Sequence, residues 1–266
     1  MNISNLTVNE VARLLQQQEC DEELLGRLKA DNRISIAKLI SRWQQKRDRI
    51  AAEQERIRHL YAFERELYAQ GYQYIAGVDE AGRGPLAGPV VVGAVVLPAE
   101  CQLPDLNDSK QVTPARREEL YTAIHNSALS VEYAVIDVGT IDEINIYQAT
   151  VQGMYQVLEN LTLQPEAALI DAVPLRELKI PYQAIINGDA LSASIAAASI
   201  VAKVERDRLM LEYDRLFPEY GFAKNKGYAT KEHQAALHRF GPCPIHRKSF
   251  EPVKSMVTTT QEIALF

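Results

Sequence analysis

The stretch at residues 75–97 constrains the fold of this chain more than any other. It reads as a short apolar segment, two adjacent acids, a turn rich in glycine and proline, and a longer apolar segment. The isoleucines and valines predict two buried strands, and the second is far too short to span a membrane. The glycines and prolines exclude a helix between the strands and bring bare backbone amides close together. The stretch therefore predicts two strands joined by a turn that carries charge.

Two other interpretations of this turn fit the residues less well. A simple hairpin needs neither two adjacent carboxylates nor an arginine between glycines. A dinucleotide-binding turn has the spacing Gly-x-Gly-x-x-Gly and then a helix, whereas Gly82, Gly84 and Gly88 are spaced differently and prolines stand where that helix would begin. The better interpretation is a site that offers carboxylates to a metal ion and amides to a phosphate.

The composition is that of an ordinary soluble protein with one main domain and an extension. The 266 residues are 47% hydrophobic, and the formal net charge of -6 argues against unspecific binding of nucleic acid, so a polyanionic partner must meet local basic patches. The three cysteines are isolated, which suggests neither a zinc site nor disulfides. There is neither a signal-peptide pattern nor a long apolar run, so we expect a cytoplasmic protein without a membrane anchor.

The order of elements along the chain predicts an α/β protein. Residues 1–70 have helical periodicity, with Thr7 and Glu10 as a capping box and a basic bias from Arg42 onward. A solvated helical face explains that bias slightly better than a duplex-binding arm, because acids are interleaved with the basic residues. Further strands are predicted near residues 131–138, 168–171 and 182–186, and helices near 113–128, 141–161 and 191–216. Strands in hairpin order, then strands alternating with helices, indicate a mixed sheet with helices on both faces.

Acids terminate two of these strands. Asp79 and Asp171 each follow a short apolar run, and if the strands are parallel neighbours about 4.8 Å apart, both carboxylates lie at one edge of the sheet. Two metal ions roughly 3.5–4 Å apart can share such a pair. Asp207 lies beside an apolar stripe of the helix at 191–216, where an unpaired carboxylate is costly. Ion pairing within the helix and metal binding explain Asp207 equally well from the residues alone.

Residues 77–91, GVDEAGRGPLAGPVV, resemble the signature of ribonuclease HII, the endonuclease that cuts RNA joined to or paired with DNA. Ribonuclease HIII has a different glycine segment there. Residues 202–208, AKVERDR, fit a helix motif of the same family. The resemblance covers about residues 73–252 and, less specifically, extends to residues 1–70, which are similar to extensions of some bacterial members. It implies a ribonuclease-H-like five-stranded mixed sheet flanked by helices, with strand order 3-2-1-4-5, an N-terminal helical extension (1–70), a catalytic domain (71–252) and a C-terminal tail (253–266).

The same resemblance implies catalysis with two divalent ions, Mn²⁺ or Mg²⁺, held by four acids: Asp79, Glu80, Asp171 and Asp207. Hydrolysis of a phosphodiester needs a deprotonated water and a stabilised leaving oxygen, and hard cations on carboxylates supply both. The implied reaction cuts the RNA strand of RNA/DNA hybrids and cuts 5′ of ribonucleotides embedded in duplex DNA, leaving 3′-hydroxyl and 5′-phosphate ends, in DNA replication and repair.

Two alternatives to this reaction are a resolvase- or transposase-like nuclease of the same fold and a non-catalytic nucleic-acid-binding protein. The motifs Gly-Arg-Gly and Lys-Gly-Tyr argue against the first, and the presence of all four acids argues against the second.

Substrate contacts are implied at a second set of residues: Gly82, Arg83, Gly84, Lys110, Lys226, Tyr228, Arg247 and Lys248. By resemblance, the Gly-Arg-Gly backbone holds the ribose 2′-hydroxyl, the group that distinguishes RNA from DNA, and Tyr228 senses the junction between ribonucleotide and deoxyribonucleotide. A tyrosine packed on its own core is the alternative. Residues 246–250, HRKSF, predict a basic surface for backbone phosphates.

The last residues, 261–266, predict a docking peptide. Gln261, Ile263, Leu265 and Phe266 resemble the short motifs that bind the groove of the bacterial sliding clamp. A tail folded back onto its own domain is an equally good explanation. We otherwise expect a monomer whose partners are RNA/DNA hybrids and ribonucleotide-containing DNA.

Overall fold

The computed structural model describes residues 6–16 and 22–263 of the protein. The chain forms two compact units, Met1–Arg56 and Ile57–Phe266. The first contains α1 (Val8–Gln16), α2 (Glu22–Lys29) and all but the last turn of α3 (Ile34–Leu60). No helix of the described residues is long and apolar enough to span a membrane.

The helices of the first unit enclose a small apolar core. A capping box starts α1, since the Thr7 amide donates to the Glu10 carboxylate at 2.7 Å and the Glu10 amide donates to the Thr7 hydroxyl at 3.3 Å. All three helices contribute buried residues to the core: Val11, Leu15, Leu28, Ile36 and Ile40. The indole N–H of Trp43 donates to the carbonyl of Leu15 at 2.7 Å. The predicted N-terminal helices and their capping box are therefore present.

A five-stranded mixed sheet organises the second unit. Its strands are β1 (Ile75–Ala81), β2 (Val90–Val96), β3 (Ser130–Ile136), β4 (Ala167–Asp171) and β5 (Tyr182–Ile185). They lie in the order β3-β2-β1-β4-β5, with β1–β2 and β2–β3 antiparallel and β1–β4 and β4–β5 parallel. The helices of this unit are α4 (Ala62–Ala69), α5 (Pro114–Ser127), α6 (Val138–Asn160), α7 (Ala193–Leu216), α8 (Phe222–Asn225), α9 (Lys231–Phe240) and α10 (Val253–Ile263). The predicted mixed sheet and its strand order are confirmed.

Helices cover both faces of this sheet. The apolar residues of α6 pack over one face of the central strands. On the other face α7 lies unusually close, because two strand glycines leave room for its backbone. A Cβ on Gly77 would lie 2.0 Å from the carbonyl carbon of Ser194, and one on Gly93 would lie 2.7 Å from a carbonyl oxygen in the next turn of the helix. This contact fixes the position of α7, which carries Asp207, against β1 and β2.

The structure adds detail at the end of β3 and in the C-terminal tail. β3 ends at Ile136 because Asp137 caps α6, its carboxylate accepting a hydrogen bond from the Thr140 amide at 2.9 Å. The C-terminal tail is helical over Val253–Ile263. The side chains of residues 259–266 and the backbone of 264–266 lie outside the described residues, so the docking peptide at 261–266 stays a prediction.

Candidate active site

Three of the predicted acids lie together at one edge of the sheet. Asp79 belongs to β1 and Asp171 ends β4, and the parallel register of these strands brings both acids to the same level. Glu80 follows Asp79 directly. A further acid, Asp189, stands close enough to act on the charge of Asp79. We call Asp79, Glu80, Asp171 and Asp189 the acid edge.

Burial and mutual repulsion govern the charges of the acid edge. The pKa of Asp79 is raised well above its ordinary range, first by burial and then by the charges of Glu80 and Asp171. Burial also raises the pKa of Glu80, although Arg83, 3.2 Å from its carboxylate, offsets part of that rise. The Oε2 atom of Glu80 is buried and has no hydrogen-bond partner among the described residues. Underpaired carboxylates of this kind favour a bound cation.

Asp207, the fourth predicted acid, forms ion pairs with two basic side chains. Its Oδ1 atom lies 2.6 Å from Lys203 Nζ and its Oδ2 atom 3.5 Å from Arg117 Nη1. Within the described parts of the chain, no group of three or more histidine, cysteine or acidic side chains is already arranged to hold a metal ion. The structure thus brings the other three acids together and leaves Asp207 in ion pairs. The donor chemistry nevertheless fits a hard divalent cation, since every donor is a carboxylate oxygen and one of them has no partner.

Residues 82–89, here called the glycine loop, are bound from the protein interior by the side chain of Arg247. Arg247 is fully buried, with 0% exposure. Its guanidinium donates at 2.5 to 3.0 Å to three carbonyls of the loop, those of Gly82, Arg83 and Gly88. The prediction of a basic surface at residues 246–250 is therefore wrong for Arg247, because these carbonyls bind its side chain in the interior. Lys248, in contrast, is exposed.

Residues 225–228, here called the Tyr228 turn, pack against the glycine loop. The Leu86 amide donates to the Gly227 carbonyl at 2.9 Å. A Cβ on Gly84 would lie 3.8 Å from the Tyr228 ring. This ring is 47% exposed, so it is not a core residue and stands at the surface beside the loop. The two segments predicted to recognise substrate are therefore in contact.

Comparison with known proteins identifies the family. The family model Ribonuclease HII matches residues 76–253, and the model Ribonuclease HII N-terminal domain matches residues 7–68. A ribonuclease HII of Desulfitobacterium hafniense is 50% identical over 255 residues, which make up 96% of this chain and 98% of that protein. The chain belongs to the ribonuclease HII family. It is therefore an endoribonuclease and a hydrolase.

Solved structures of ribonucleases H share the fold of this chain. The ribonuclease H2 from Pyrococcus horikoshii is 26% identical with a TM-score of 0.61, over 71% of this chain and 99% of that one. A ribonuclease HII from Archaeoglobus fulgidus, solved in complex with PCNA, is 28% identical with a TM-score of 0.59, over 67% of this chain and 95% of that one. The resemblance inferred from residues 77–91 and 202–208 is thereby confirmed, as is the ribonuclease-H-like fold.

Two acids near the site, Asp108 and Asp189, are not among the residues predicted from the sequence. Both flank Lys110, whose Nζ atom lies 3.8 Å from Asp108 and 3.5 Å from Asp189. Lys110 itself has a side chain that is 76% exposed, so it lies at the solvent side of the acids. The available signal was the turn after β5, in which Asp189 follows Gly188. The sequence does not show that this turn lies near Asp171, which follows from the pairing of β5 with β4.

Proposed function

We propose that this member of the ribonuclease HII family cuts the RNA strand of RNA/DNA hybrids and cuts 5′ of ribonucleotides embedded in duplex DNA, leaving 3′-hydroxyl and 5′-phosphate ends. The observation that carries the proposal is the adjacency of the acid edge and the glycine loop, since Glu80 precedes Gly82 by two residues and pairs with Arg83. A phosphodiester next to a ribose has both an anion for the metal site and a 2′-hydroxyl for the loop.

Asp79, Glu80, Asp171 and Asp207 would hold two divalent ions, Mn²⁺ or Mg²⁺. Such ions, when bound, activate a water and stabilise the leaving oxygen. The raised pKa of Asp79 and the unpartnered Oε2 atom of Glu80 support this assignment, because a cation relieves both the repulsion and the missing hydrogen bond. To join the other three acids, Asp207 would give up its ion pairs with Lys203 and Arg117.

The glycine loop and the Tyr228 turn would read the substrate. The amides of Arg83 and Gly84 have no acceptor among the described residues and are therefore free to bind the 2′-hydroxyl. The Tyr228 ring, half-exposed beside Gly84, would pack on the sugar at the junction. The exposed side chains of Lys110 and Lys248, together with Lys226, would meet phosphates.

Cleavage of a duplex that carries a single ribonucleotide tests this function. We expect one cut, 5′ of the ribonucleotide, in the presence of Mn²⁺ or Mg²⁺ and none in EDTA. The matched control is the all-DNA duplex of the same sequence, which should remain intact. Cutting of the all-DNA duplex, or cutting in EDTA, would contradict the proposal.

We further propose that residues 261–266 dock in the sliding clamp. The spacing of their glutamine and apolar residues supports this, as does the family member solved with PCNA. Deletion of residues 261–266 should abolish clamp binding in calorimetry and leave cleavage of the free duplex unchanged. Equal clamp binding by the truncated and full-length chains would show that the tail is not the docking segment.

A further inference from the structure

Two buried arginines, Arg206 and Arg247, lie beneath the glycine loop, and we call them the arginine bed. They are 1% and 0% exposed, and neither forms an ion pair within the described residues. Arg206 donates to the carbonyls of Pro89 at 3.0 Å and Ala87 at 3.2 Å, and to the carbonyl of Lys226 in the Tyr228 turn at 3.0 Å. One side chain thus holds both segments that are proposed to read the substrate.

Burial of a charge without an ion-pair partner costs desolvation free energy. This cost indicates that the two arginines have a specific role, which the other residues of the core do not have. Burial lowers the pKa of Arg247 to about 9 and also lowers that of Arg206. An apolar side chain would fill the same volume without this penalty. Only a planar guanidinium, with five N–H groups in a fixed fork, can satisfy several carbonyls of one loop at once.

The hydrogen bonds of Arg247 determine the direction of two amides. In a trans peptide the carbonyl of one residue and the N–H of the next point in opposite directions. Arg247 draws the carbonyls of Gly82 and Arg83 inward at 2.5 and 2.8 Å. The N–H groups of Arg83 and Gly84 must therefore face outward, and these are the amides without an acceptor in the described residues.

We infer that Arg206 and Arg247 are positioning residues for ribose recognition. Arg247 orients the peptides that present the Arg83 and Gly84 amides, and Arg206 ties the glycine loop to the Tyr228 turn. This inference rests on the proposed function, in which those amides bind the 2′-hydroxyl. Neither arginine touches the substrate. Their effect is on the preference for ribose and not on the affinity for a duplex as such.

Replacement of Arg247 separates positioning from stability. Arg247→Lys keeps the positive charge but has all its N–H donors on one atom. Arg247→Met removes the buried charge. Both variants lose the forked set of guanidinium donors, and they differ in the cost of burying a charge. We expect each to lower the binding preference for a duplex with one ribonucleotide over the all-DNA duplex by roughly tenfold, the equivalent of one hydrogen bond. Affinity for the all-DNA duplex should stay the same. Arg208→Lys, on the exposed side of α7, is the matched control and should change neither affinity.

Two results would overturn the inference. The first is a lower melting temperature of both Arg247 variants with an unchanged ribose preference, as expected of a merely structural arginine. The second comes from the wild-type chain and needs no variant to fold. Hydrogen exchange of the peptide that contains residues 82–86 should be slowed by the ribonucleotide duplex but not by the all-DNA duplex. Equal protection by both would exclude the amide contact. If the wild-type chain itself shows no preference for ribose, it is the proposed function that fails.

Discussion

The acid edge and the arginine bed adjoin the same glycine loop but accommodate buried charge in opposite ways. At the acid edge, like charges stand together, and burial with repulsion raises the pKa of Asp79. In the arginine bed, each charge is surrounded by neutral backbone carbonyls that accept its hydrogen bonds. The first arrangement leaves the Glu80 Oε2 atom without a hydrogen-bond partner among the described residues, whereas in the second both guanidinium groups donate to several carbonyls. We therefore expect an added cation to change the acid edge and to leave the arginine bed as it is.

The largest effect is expected from removal of one charge at the acid edge. Asp79→Asn should abolish cleavage, because the amide is a poor ligand for a hard cation. In EDTA its free energy of unfolding should equal or slightly exceed that of the wild type, since repulsion with Glu80 and Asp171 is lost. Gel-based cleavage and urea unfolding measure the two. Asp48→Asn, an exposed acid of the first unit, is the control. An unfolded variant, or one that cuts normally, would refute the metal assignment.

A methyl group placed against the arginine bed should destabilise the folded protein. Gly82 has φ +99°, and a Cβ there would lie 1.9 Å from Arg206 Nε. Gly82→Ala should therefore lower the free energy of unfolding by more than the roughly 1–3 kcal/mol expected for backbone strain alone. Gly71→Ala is the matched control, because Gly71 has φ +100° but nothing within 4 Å of its Cβ position. Equal losses in denaturant unfolding would show that the arginine contact adds nothing.

The acids at the strand ends could be predicted from sequence, whereas the arginine bed could not. Asp79 and Asp171 follow apolar runs that mark strands, and parallel pairing then brings them together without further information. Arg247 stands between a histidine and a lysine, a pattern typical of a surface. Its acceptors are backbone carbonyls as far as 165 residues away in the chain. Every residue has such a carbonyl, so the sequence of side chains does not indicate which carbonyls accept these hydrogen bonds. Asp207 was ambiguous for a related reason, since its ion pair with Arg117 depends on how α5 packs on α7.

Tyr228 tests whether the two sides of the loop act on one substrate. Tyr228→Ala should reduce cutting at an isolated ribonucleotide more than cutting within a continuous RNA/DNA hybrid, by about 1–3 kcal/mol if the ring stacks as aromatic residues do on bases. The comparison of kcat/KM on the two substrates measures this difference. Tyr147→Ala, an exposed tyrosine on α6, is the control. Equal losses on both substrates would make Tyr228 a structural residue.

The smallest effect concerns a pair of histidines behind the Tyr228 turn. We expect their contribution to the free energy of unfolding to change with pH in the opposite direction to that of the acid edge. His233 is hydrogen-bonded to the carbonyl of Tyr228 at 2.8 Å, and the Nε2 atoms of His233 and His246 lie 3.0 Å apart. Burial lowers the pKa of His246 to about 4 and also lowers that of His233. The folded state thus keeps both rings neutral while the unfolded state protonates them, so stability falls as pH drops from about 6.5 toward 4.

For Asp79 the folded state keeps a proton that the unfolded state releases, so stability falls as pH rises above the ordinary carboxyl range.

Unfolding in urea and EDTA at pH 5 and pH 7 separates these two contributions. His246→Phe keeps an aromatic ring against Tyr220 and Phe222 but removes the titrating group. It should reduce the gain in unfolding free energy between pH 5 and pH 7 by about 1–2 kcal/mol. His238→Phe, at an exposed position on α9, should leave that gain unchanged. If His246→Phe retains the full gain, the pair is not the source of the acid sensitivity, and the Tyr228 turn is held by contacts that do not titrate.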